Sequence, residues 1–164
     1  CGDLVESEED ISGVVGLFKQ PVFLINGNHE SEATVAALAD LYPNSKNIQG
    51  YGLKMGEFGF VGTSSVNLGI WQRPEKEIFE MIARAQAYVK DCKKRIFVSH
   101  VHPAQSKSTF ISGFEGSHGL RKAIDELKPD LVLCSHVCEA EGIEEVINGS
   151  KVINVGRKGK IIEL

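Results

Sequence analysis

No stretch of the sequence approaches the roughly 18 consecutive apolar residues that a membrane-spanning helix needs. The 164-residue chain also lacks an excess of basic residues, because 18 Lys and Arg side chains face 22 Asp and Glu and give a net charge of -4. Proteins that bind nucleic acids usually carry a basic surface instead. We therefore expect no membrane segment, no obvious targeting segment and no nucleic-acid-binding surface.

Cysteine is also scarce, and the spacing of the four that occur does not resemble a secreted disulfide framework. Free thiols are typical of a reducing compartment, so the sequence predicts a cytoplasmic protein. Cys92 falls near the end of a predicted helix. Cys134 follows an apolar run and is expected to pack as a small apolar side chain. Internal repeats and low-complexity stretches are absent as well.

The overall composition is that of an ordinary globular protein, with 42% hydrophobic and 24% charged residues. A chain of this length buries roughly 70% of the surface that it exposes when unfolded. The sequence therefore predicts a single domain over residues 1–164 with a sizeable core.

Hydrophobic periodicity predicts alternating helices and strands. The predicted helices cover residues 6–18, 33–42, 75–93 and 117–127, and the predicted strands cover residues 21–25, 95–98 and 130–133. Short β-like pieces occupy residues 48–62, and residues 63–74 and 104–115 are expected to be irregular. Asn148-Gly149 predicts an antiparallel hairpin in the tail. The alternation indicates an α/β fold with a mixed sheet in layers.

Polar side chains follow three of the predicted strands at the point where each strand ends. Asn28 and His29 lie in a Gly-Asn-His-Glu motif, while His100 and His136 each follow a serine. Open α/β sheets place their sites at the carboxyl ends of strands, and Asp3 is a fourth candidate. Carboxylate, amide and imidazole donors suit Mn, Fe, Zn or Ni. An imidazolium at His29 could protonate a leaving group.

Ordinary structural roles are alternatives for several of these residues. Asn-His-Glu after a strand could also begin a helix, because Asn caps helices and Glu favours the first turn. His102 is expected to be a loop residue before Pro103, with a ligand role as the alternative. His118 is expected in the first turn of a helix, where it would at most line a substrate cleft. Arg157 and Lys158 could meet a phosphate or form a solvated turn.

Four motifs, taken in order, resemble those of the calcineurin-like metallophosphoesterase superfamily. They are Gly-Asp at residues 2–3, Gly-Asn-His-Glu at 27–30, Ser-His-Val-His-Pro at 99–103 and Cys-Ser-His-Val-Cys at 134–138. The resemblance covers nearly the whole chain, and Gly-Asn-His-Glu is its most specific element. It implies an αββα sandwich of mixed sheets flanked by helices, with two divalent metal ions at the strand ends. The implied activity is hydrolysis of a phosphomonoester or phosphodiester through a metal-activated hydroxide.

The resemblance also implies roles for individual residues. Asp3 would bridge the two metal ions, while Asn28, His100 and His136 would complete the shell of the second ion. Asn28 and His29 would bind the substrate, and His29 would act as the catalytic residue that assists the leaving group. The implied substrate is a phosphate-ester small molecule or a nucleotide. The oligomeric state is not indicated.

The sequence departs from the family pattern at two places. The Asp-x-His segment that precedes Gly-Asp in the family is missing, so we expect this chain to be a fragment that lacks the N-terminal strands. The last motif carries Cys138 where the family has a terminal histidine. Because thiolates bind Zn and Fe well, Cys138 is a candidate metal ligand, with a filler role as the alternative.

Two functions of different classes follow from these observations. The leading one is a metal-dependent phosphoesterase. The alternative is a catalytically degenerate family member that acts as a protein-binding scaffold. The missing Asp-x-His segment, which would supply ligands of the first metal ion, favours this alternative. The intact pair of Asn28 and His29 disfavours the scaffold, because binding alone needs no proton donor. A single-metal site with weak phosphodiesterase activity lies between the two.

Overall fold

The computed structural model describes residues 1–4 and 15–164. Its strands form a two-stranded parallel sheet and a six-stranded mixed sheet. The strands are β1 (Val22–Leu24), β2 (Ser45–Asn47), β3 (Gly52–Met55), β4 (Phe58–Thr63), β5 (Lys94–Ser99), β6 (Leu131–Cys134), β7 (Glu144–Ile147) and β8 (Ser150–Asn154). The α-helices are α1 (Glu32–Leu41), α2 (Glu75–Val89), α3 (Lys107–Ser112) and α4 (His118–Leu127). Within the described ranges, no helix is long and apolar enough to cross a membrane.

The larger sheet has the order β3-β4-β5-β6-β8-β7. Its four inner strands run parallel, and an antiparallel hairpin adds one strand at each edge. Parallel strands are buried on both faces, and accordingly Phe97 of β5 and Val132 of β6 are fully buried. Because β5 and β6 are neighbours and point the same way, the residues that follow them meet at one edge of the sheet. His100 and His136 both lie at this edge.

The layers form the αββα sandwich that the sequence analysis predicted. Helices α2 and α4 pack on one face of the larger sheet, against a core that includes Val61 and Phe97. Successive strand residues point to opposite faces, so Phe60 lies on the other face. There its ring contacts Phe23 of β1, with 5.0 Å between the ring centroids. Helix α1 then covers the smaller sheet through a separate cluster of buried apolar residues that includes Leu38.

Most predicted elements are present, with ends that differ by a few residues, but the structure adds one strand and corrects one prediction. Strand β2 was not predicted, because its residues Ser-Lys-Asn carry no apolar pattern and it forms by pairing with β1. Residues 104–115 were expected to be irregular but contain α3. Ser106 begins this helix with a capping box, and Gly113 ends it at φ 71°. The predicted helix over 6–18 lies largely outside the described residues, and Val15–Leu17 form a single 3-10 turn.

Two smaller predictions are confirmed. Asn148 and Gly149 connect β7 to β8 with positive φ angles of 47° and 89°, as a tight hairpin turn requires. Cys134 is fully buried at the end of β6, where it packs in the main core.

Candidate metal centre

Four side chains converge at the carboxyl edge of the larger sheet: Asp3, Asn28, His100 and His136, which we call the donor cluster. The Nε2 atom of His100 lies 2.9 Å from Asn28 Oδ1, 3.0 Å from His136 Nδ1 and 3.4 Å from Asp3 Oδ2. Ligand atoms of Asp3, His100 and His136 all lie within 4.8 Å of one another. The structure therefore brings together four of the five residues that the sequence predicted as metal ligands.

His100 is held in the neutral form that binds metals. Its side chain is 1% exposed, and its Nδ1–H donates a hydrogen bond of 2.7 Å to the carbonyl oxygen of Cys1. Because a carbonyl can only accept, the proton is on Nδ1 and the lone pair of Nε2 faces the donor cluster. Burial lowers the pKa of His100 to about 3, against the opposing effect of the Asp3 carboxylate. Neutral imidazole is the species that ligates metal ions.

The donor cluster fits a divalent cation. The Nε2 lone pair of His100 faces the oxygens of Asn28 and Asp3, so electron-rich atoms meet with no proton between them. Two ligand atoms that each lie about 2.1 Å from one ion can be at most about 4.2 Å apart. The separations from Nε2 to its three neighbours, 2.9, 3.0 and 3.4 Å, are within this limit. A carboxylate, an amide oxygen and two imidazoles suit Mn, Fe, Zn or Ni.

Asp3 reaches the cluster because two glycines leave room for its segment. Its Oδ1 accepts hydrogen bonds from the backbone N–H groups of Asn28 (3.0 Å) and His29 (3.3 Å). A Cβ atom on Gly27 would lie 2.0 Å from this oxygen, so no other residue fits there. A Cβ on Gly2, which has φ 79°, would lie 2.7 Å from the ring of His100. Both glycines are therefore part of the site.

Glu30 is a site residue whose role the sequence analysis did not predict. Its side chain is fully buried, and its Oε1 accepts hydrogen bonds from the N–H groups of Gly27 (2.9 Å) and Leu4 (3.2 Å). Glu30 thus ties the segment that carries Asp3 to the turn that carries Asn28. Burial raises its pKa, although these backbone hydrogen bonds oppose the shift. The available signal was its place as the last residue of the Gly-Asn-His-Glu motif.

His136 lies in a strained turn that several hydrogen bonds hold in place. Its φ angle is 65°, in the left-handed region that is uncommon for residues other than glycine. Before it, Ser135 donates its backbone N–H to the carbonyl of His100 (2.9 Å) and its hydroxyl to that of Cys1 (2.8 Å). The ring of Phe114 lies 5.1 Å from that of His136. Burial lowers the pKa of His136, which also favours the neutral ring.

The other candidate residues lie in different surroundings. His29 is exposed on the turn beside Asn28. Cys138 is exposed in the one-turn helix Cys138–Ala140 and does not belong to the donor cluster.

Two further histidines and the Arg157-Lys158 turn have structural partners. His102 is fully buried in the loop after β5, and its Nε2–H donates to the carbonyl of Phe114 (3.1 Å). His118 is exposed in the first turn of α4, as predicted, 3.0 Å from Glu115. The backbone N–H groups of residues 157 and 158 both donate to the carboxylate of Glu141.

Comparison with known proteins finds a matching family model and similar solved structures. The family model for calcineurin-like phosphoesterases matches residues 1–140. The crystal structure of TT1561 from Thermus thermophilus is similar, with a TM-score of 0.62 and 20% identity, over 83% of this chain and 63% of that one. A second solved structure has a TM-score of 0.65 and 16% identity, over 87% of this chain and 60% of the other. At these identities the likeness concerns the fold alone.

This chain therefore spans less than two thirds of the length of either solved structure. None of the curated proteins matches it significantly.

Proposed function

The chain belongs to the calcineurin-like phosphoesterase family, and we propose on this premise that it is a metal-dependent phosphoesterase. Its substrate is a phosphomonoester or phosphodiester of a small molecule or nucleotide. The observation that carries the proposal is the convergence of the donor atoms of Asp3, Asn28, His100 and His136 at one edge of the sheet. Four residues from distant parts of the chain have no need to meet in this way for packing alone.

Asp3, Asn28, His100 and His136 would hold the divalent ion. When bound, such an ion activates water as a nucleophile and polarises a phosphoryl oxygen. Asn28 and His29 lie on the same turn and contact the phosphoryl group together. The exposed ring of His29 donates a proton to the leaving-group oxygen, which would otherwise depart as an unstable alkoxide. His100 stays neutral throughout, because burial opposes its protonation.

The test combines metal analysis with hydrolysis of 4-nitrophenyl phosphate and bis(4-nitrophenyl) phosphate, which separate monoesterase from diesterase activity. We expect His136→Ala to lose both bound metal and turnover. His29→Ala should retain the metal and lose roughly 10²- to 10⁴-fold in kcat on an alkyl phosphate such as glycerol 3-phosphate, whose alkoxide leaving group needs a proton, and much less on the 4-nitrophenyl esters. His118→Ala, which removes an exposed histidine outside the donor cluster, is the matched control and should change neither.

Cys138→Ala tests the predicted fifth ligand separately, because a fall in metal content would assign its thiol to a metal shell. Full turnover of glycerol 3-phosphate by a metal-loaded His29→Ala variant would refute the role of His29. A wild-type chain that neither binds metal nor cleaves either ester would refute the proposed function and favour the binding scaffold.

A further inference from the structure

His136 differs from His100 in how its ring is held. The Nδ1–H of His100 donates to a backbone carbonyl, which is the usual arrangement for a histidine that binds a metal ion. In His136 it is Nδ1 that faces the donor cluster, so Nε2 carries the proton when an ion is bound. This Nε2 makes no hydrogen bond with the residues that the structure describes. Among these residues, the orientation of the ring therefore depends on packing rather than on a hydrogen bond of Nε2.

Two aromatic rings pack against that of His136. The ring of His100 lies 4.9 Å away between centroids, with 70° between the planes, and the ring of Phe114 lies 5.1 Å away, with 59° between the planes. Both separations are in the favourable range for aromatic pairs. Because His100 is itself a ligand, Phe114 is the ring that supports His136 from outside the donor cluster. Its contact restricts rotation of the imidazole about the Cβ–Cγ bond of His136.

The backbone of Phe114 is fixed at both of its hydrogen-bonding groups. Its N–H donates to the hydroxyl of Ser112 (3.1 Å), and its carbonyl accepts from the Nε2–H of His102 (3.1 Å). The carbonyls of the next two residues accept from the side chains of Thr109 (3.0 Å) and Asn67 (2.8 Å). These donors come from the loop after β5, from α3 and from the loop between β4 and α2. Together they hold this short segment in one position.

The imidazole of His102 contributes a hydrogen bond that an apolar side chain could not make. His102 is fully buried, with its ring 5.6 Å from that of Phe114. Its Nδ1 is buried without a hydrogen-bond partner among the described residues, which costs stability that an apolar side chain would not cost. What the imidazole adds is the N–H for the carbonyl of Phe114. Gly116 leaves room for it, because a Cβ there would lie 2.9 Å from Nε2 of His102.

We propose that Phe114 and His102 are positioning residues of the metal site. The ring of Phe114 orients His136, and His102 holds Phe114 in place. The Ser-His-Val-His-Pro segment then has two functions, because His100 binds the ion while His102, two residues later, supports the other histidine ligand. This inference rests on the proposed function, because it concerns the metal ion on which that function depends.

The affinity for Co²⁺, measured by competition with a chromogenic chelator, tests the ring of Phe114. We expect Phe114→Ala to weaken Co²⁺ binding roughly tenfold, as is usual when a residue supporting a metal ligand is lost. Phe114→Tyr, which keeps the ring, should recover most of this loss. Phe110→Ala is the matched control, because Phe110 is 91% exposed on the neighbouring helix α3, and it should leave the affinity unchanged. Equal affinities of wild type and Phe114→Ala would overturn the proposal.

A double variant tests whether His102 acts through Phe114. His102→Leu should weaken Co²⁺ binding about as much as Phe114→Ala does, and His102→Gln, whose amide can donate to the same carbonyl, should recover part of the loss. Adding His102→Leu to Phe114→Ala should cause no further loss, because the ring that His102 positions is already gone. Additive losses would overturn the role of His102. The variants of Phe114 alone do not depend on the folding of His102→Leu.

Proton NMR of the Co²⁺-loaded protein distinguishes positioning from a general loss of structure. The ring N–H of a histidine that binds Co²⁺ gives a strongly shifted signal that disappears in D₂O. We expect Phe114→Ala to move the signal of the His136 Nε2–H and to leave that of the His100 Nδ1–H, which the carbonyl of Cys1 holds. Equal displacement of both signals would overturn the assignment of Phe114 to His136.

The outcomes also separate this inference from the proposed function. Unchanged Co²⁺ affinity of Phe114→Ala, with ester hydrolysis intact, would overturn the positioning role and leave the phosphoesterase. A weaker affinity with a selective shift of the His136 signal, in a protein that cleaves no ester, would support the positioning role and refute the phosphoesterase.

Discussion

The thiols of Cys134 and Cys138 lie four residues apart in the sequence but in opposite surroundings. Cys134 is fully buried, and burial raises the pKa of its thiol to about 12. Cys138 is exposed. Because the thiolate is the reactive form, iodoacetamide near pH 8 should modify Cys138 and spare Cys134 until the protein unfolds. Peptide mass spectrometry measures both sites, and equal labelling of the two in the native protein would contradict the burial of Cys134.

Asp130 contributes stability that depends on pH. Burial by itself raises the pKa of Asp130. The backbone N–H of Arg95 (2.9 Å) and the ammonium of Lys94 (3.3 Å) outweigh this effect and lower the pKa overall. The stabilisation is therefore present above the unfolded pKa of about 3.9 and is lost as the pH falls through the lower folded value.

We expect Asp130→Ala to reduce the free energy of unfolding at neutral pH by about 1 kcal/mol, because the partly exposed carboxylate is screened by solvent. The difference from wild type should shrink near pH 3. Urea unfolding at both pH values measures it, with the exposed Asp91→Ala as the control. A difference that is the same at both pH values would rule out the carboxylate charge as its source.

At the level of single residues, the donor atoms were predictable from the sequence, whereas the residues that position them were not. Asn28, His100 and His136 could be predicted because each follows an apolar run that ends at the same edge of a parallel sheet. Glu30 and Gly27 act across space on the segment that carries Asp3. Nothing local in the sequence says that Gly27 faces a carboxylate 24 residues earlier in the chain, or that Glu30 is buried.

The last residue of strand β8 helps to hold the turn that carries His136. This residue, Asn154, is 1% exposed, and its amide donates to the carbonyls of Ser135 (3.4 Å) and Val137 (3.2 Å). These two carbonyls flank His136, so β8 holds the strained turn in which this ligand lies. The hairpin that the sequence predicted in the tail therefore has a second purpose besides extending the sheet.

Asn154→Leu should remove both hydrogen bonds and loosen the turn at His136. We expect metal affinity to fall roughly 10- to 100-fold, as is usual when a residue supporting a metal ligand is lost. Competition with a chromogenic chelator measures the affinity, and Lys151→Ala, an exposed substitution on the same strand, is the control. Unchanged affinity in a folded Asn154→Leu variant would show that the turn holds His136 without this amide.

Among the elements, long periodic segments were predicted well and short ones were not. Helix α2 has an apolar face repeated over four turns, including Ile78, Ile82 and Val89, which specifies a helix regardless of its neighbours. Strand β2 consists of three polar or charged residues, and it forms because its backbone pairs with that of β1. Helix α3 has only six residues, so the hydrogen bonds of its caps contribute more to its formation than the helix propensity of its residues. Such elements depend on partners and caps rather than on periodicity.

For the molecule as a whole, a bound ion would add a link between two layers that also meet through apolar contacts such as Phe23 on Phe60. Asn28 follows β1 of the smaller sheet, while His100 and His136 follow strands of the larger one. An ion shared by these residues would cross-link the two sheets.

We therefore expect divalent metal to raise the thermal midpoint. At 100 times the dissociation constant the stabilisation is about 2.7 kcal/mol, which corresponds to roughly 5–10 °C for a chain of this size. Differential scanning calorimetry with metal and with a chelator measures the shift, and His136→Ala should abolish it. A midpoint that does not move while elemental analysis finds bound metal would place the ion away from the donor cluster.

Gly27 has a consequence for how sites of this kind are recognised. It supplies no metal ligand and no charge, and the backbone N–H that it donates to Glu30 could come from most other residues, yet the space that any side chain would fill is occupied by the Asp3 carboxylate. What only glycine contributes here is this empty volume. A search that scores only chemically active residues would accept a chain with alanine at this position and an intact set of ligands. Such a chain would lose the site, because the alanine side chain would occupy the space of the Asp3 carboxylate.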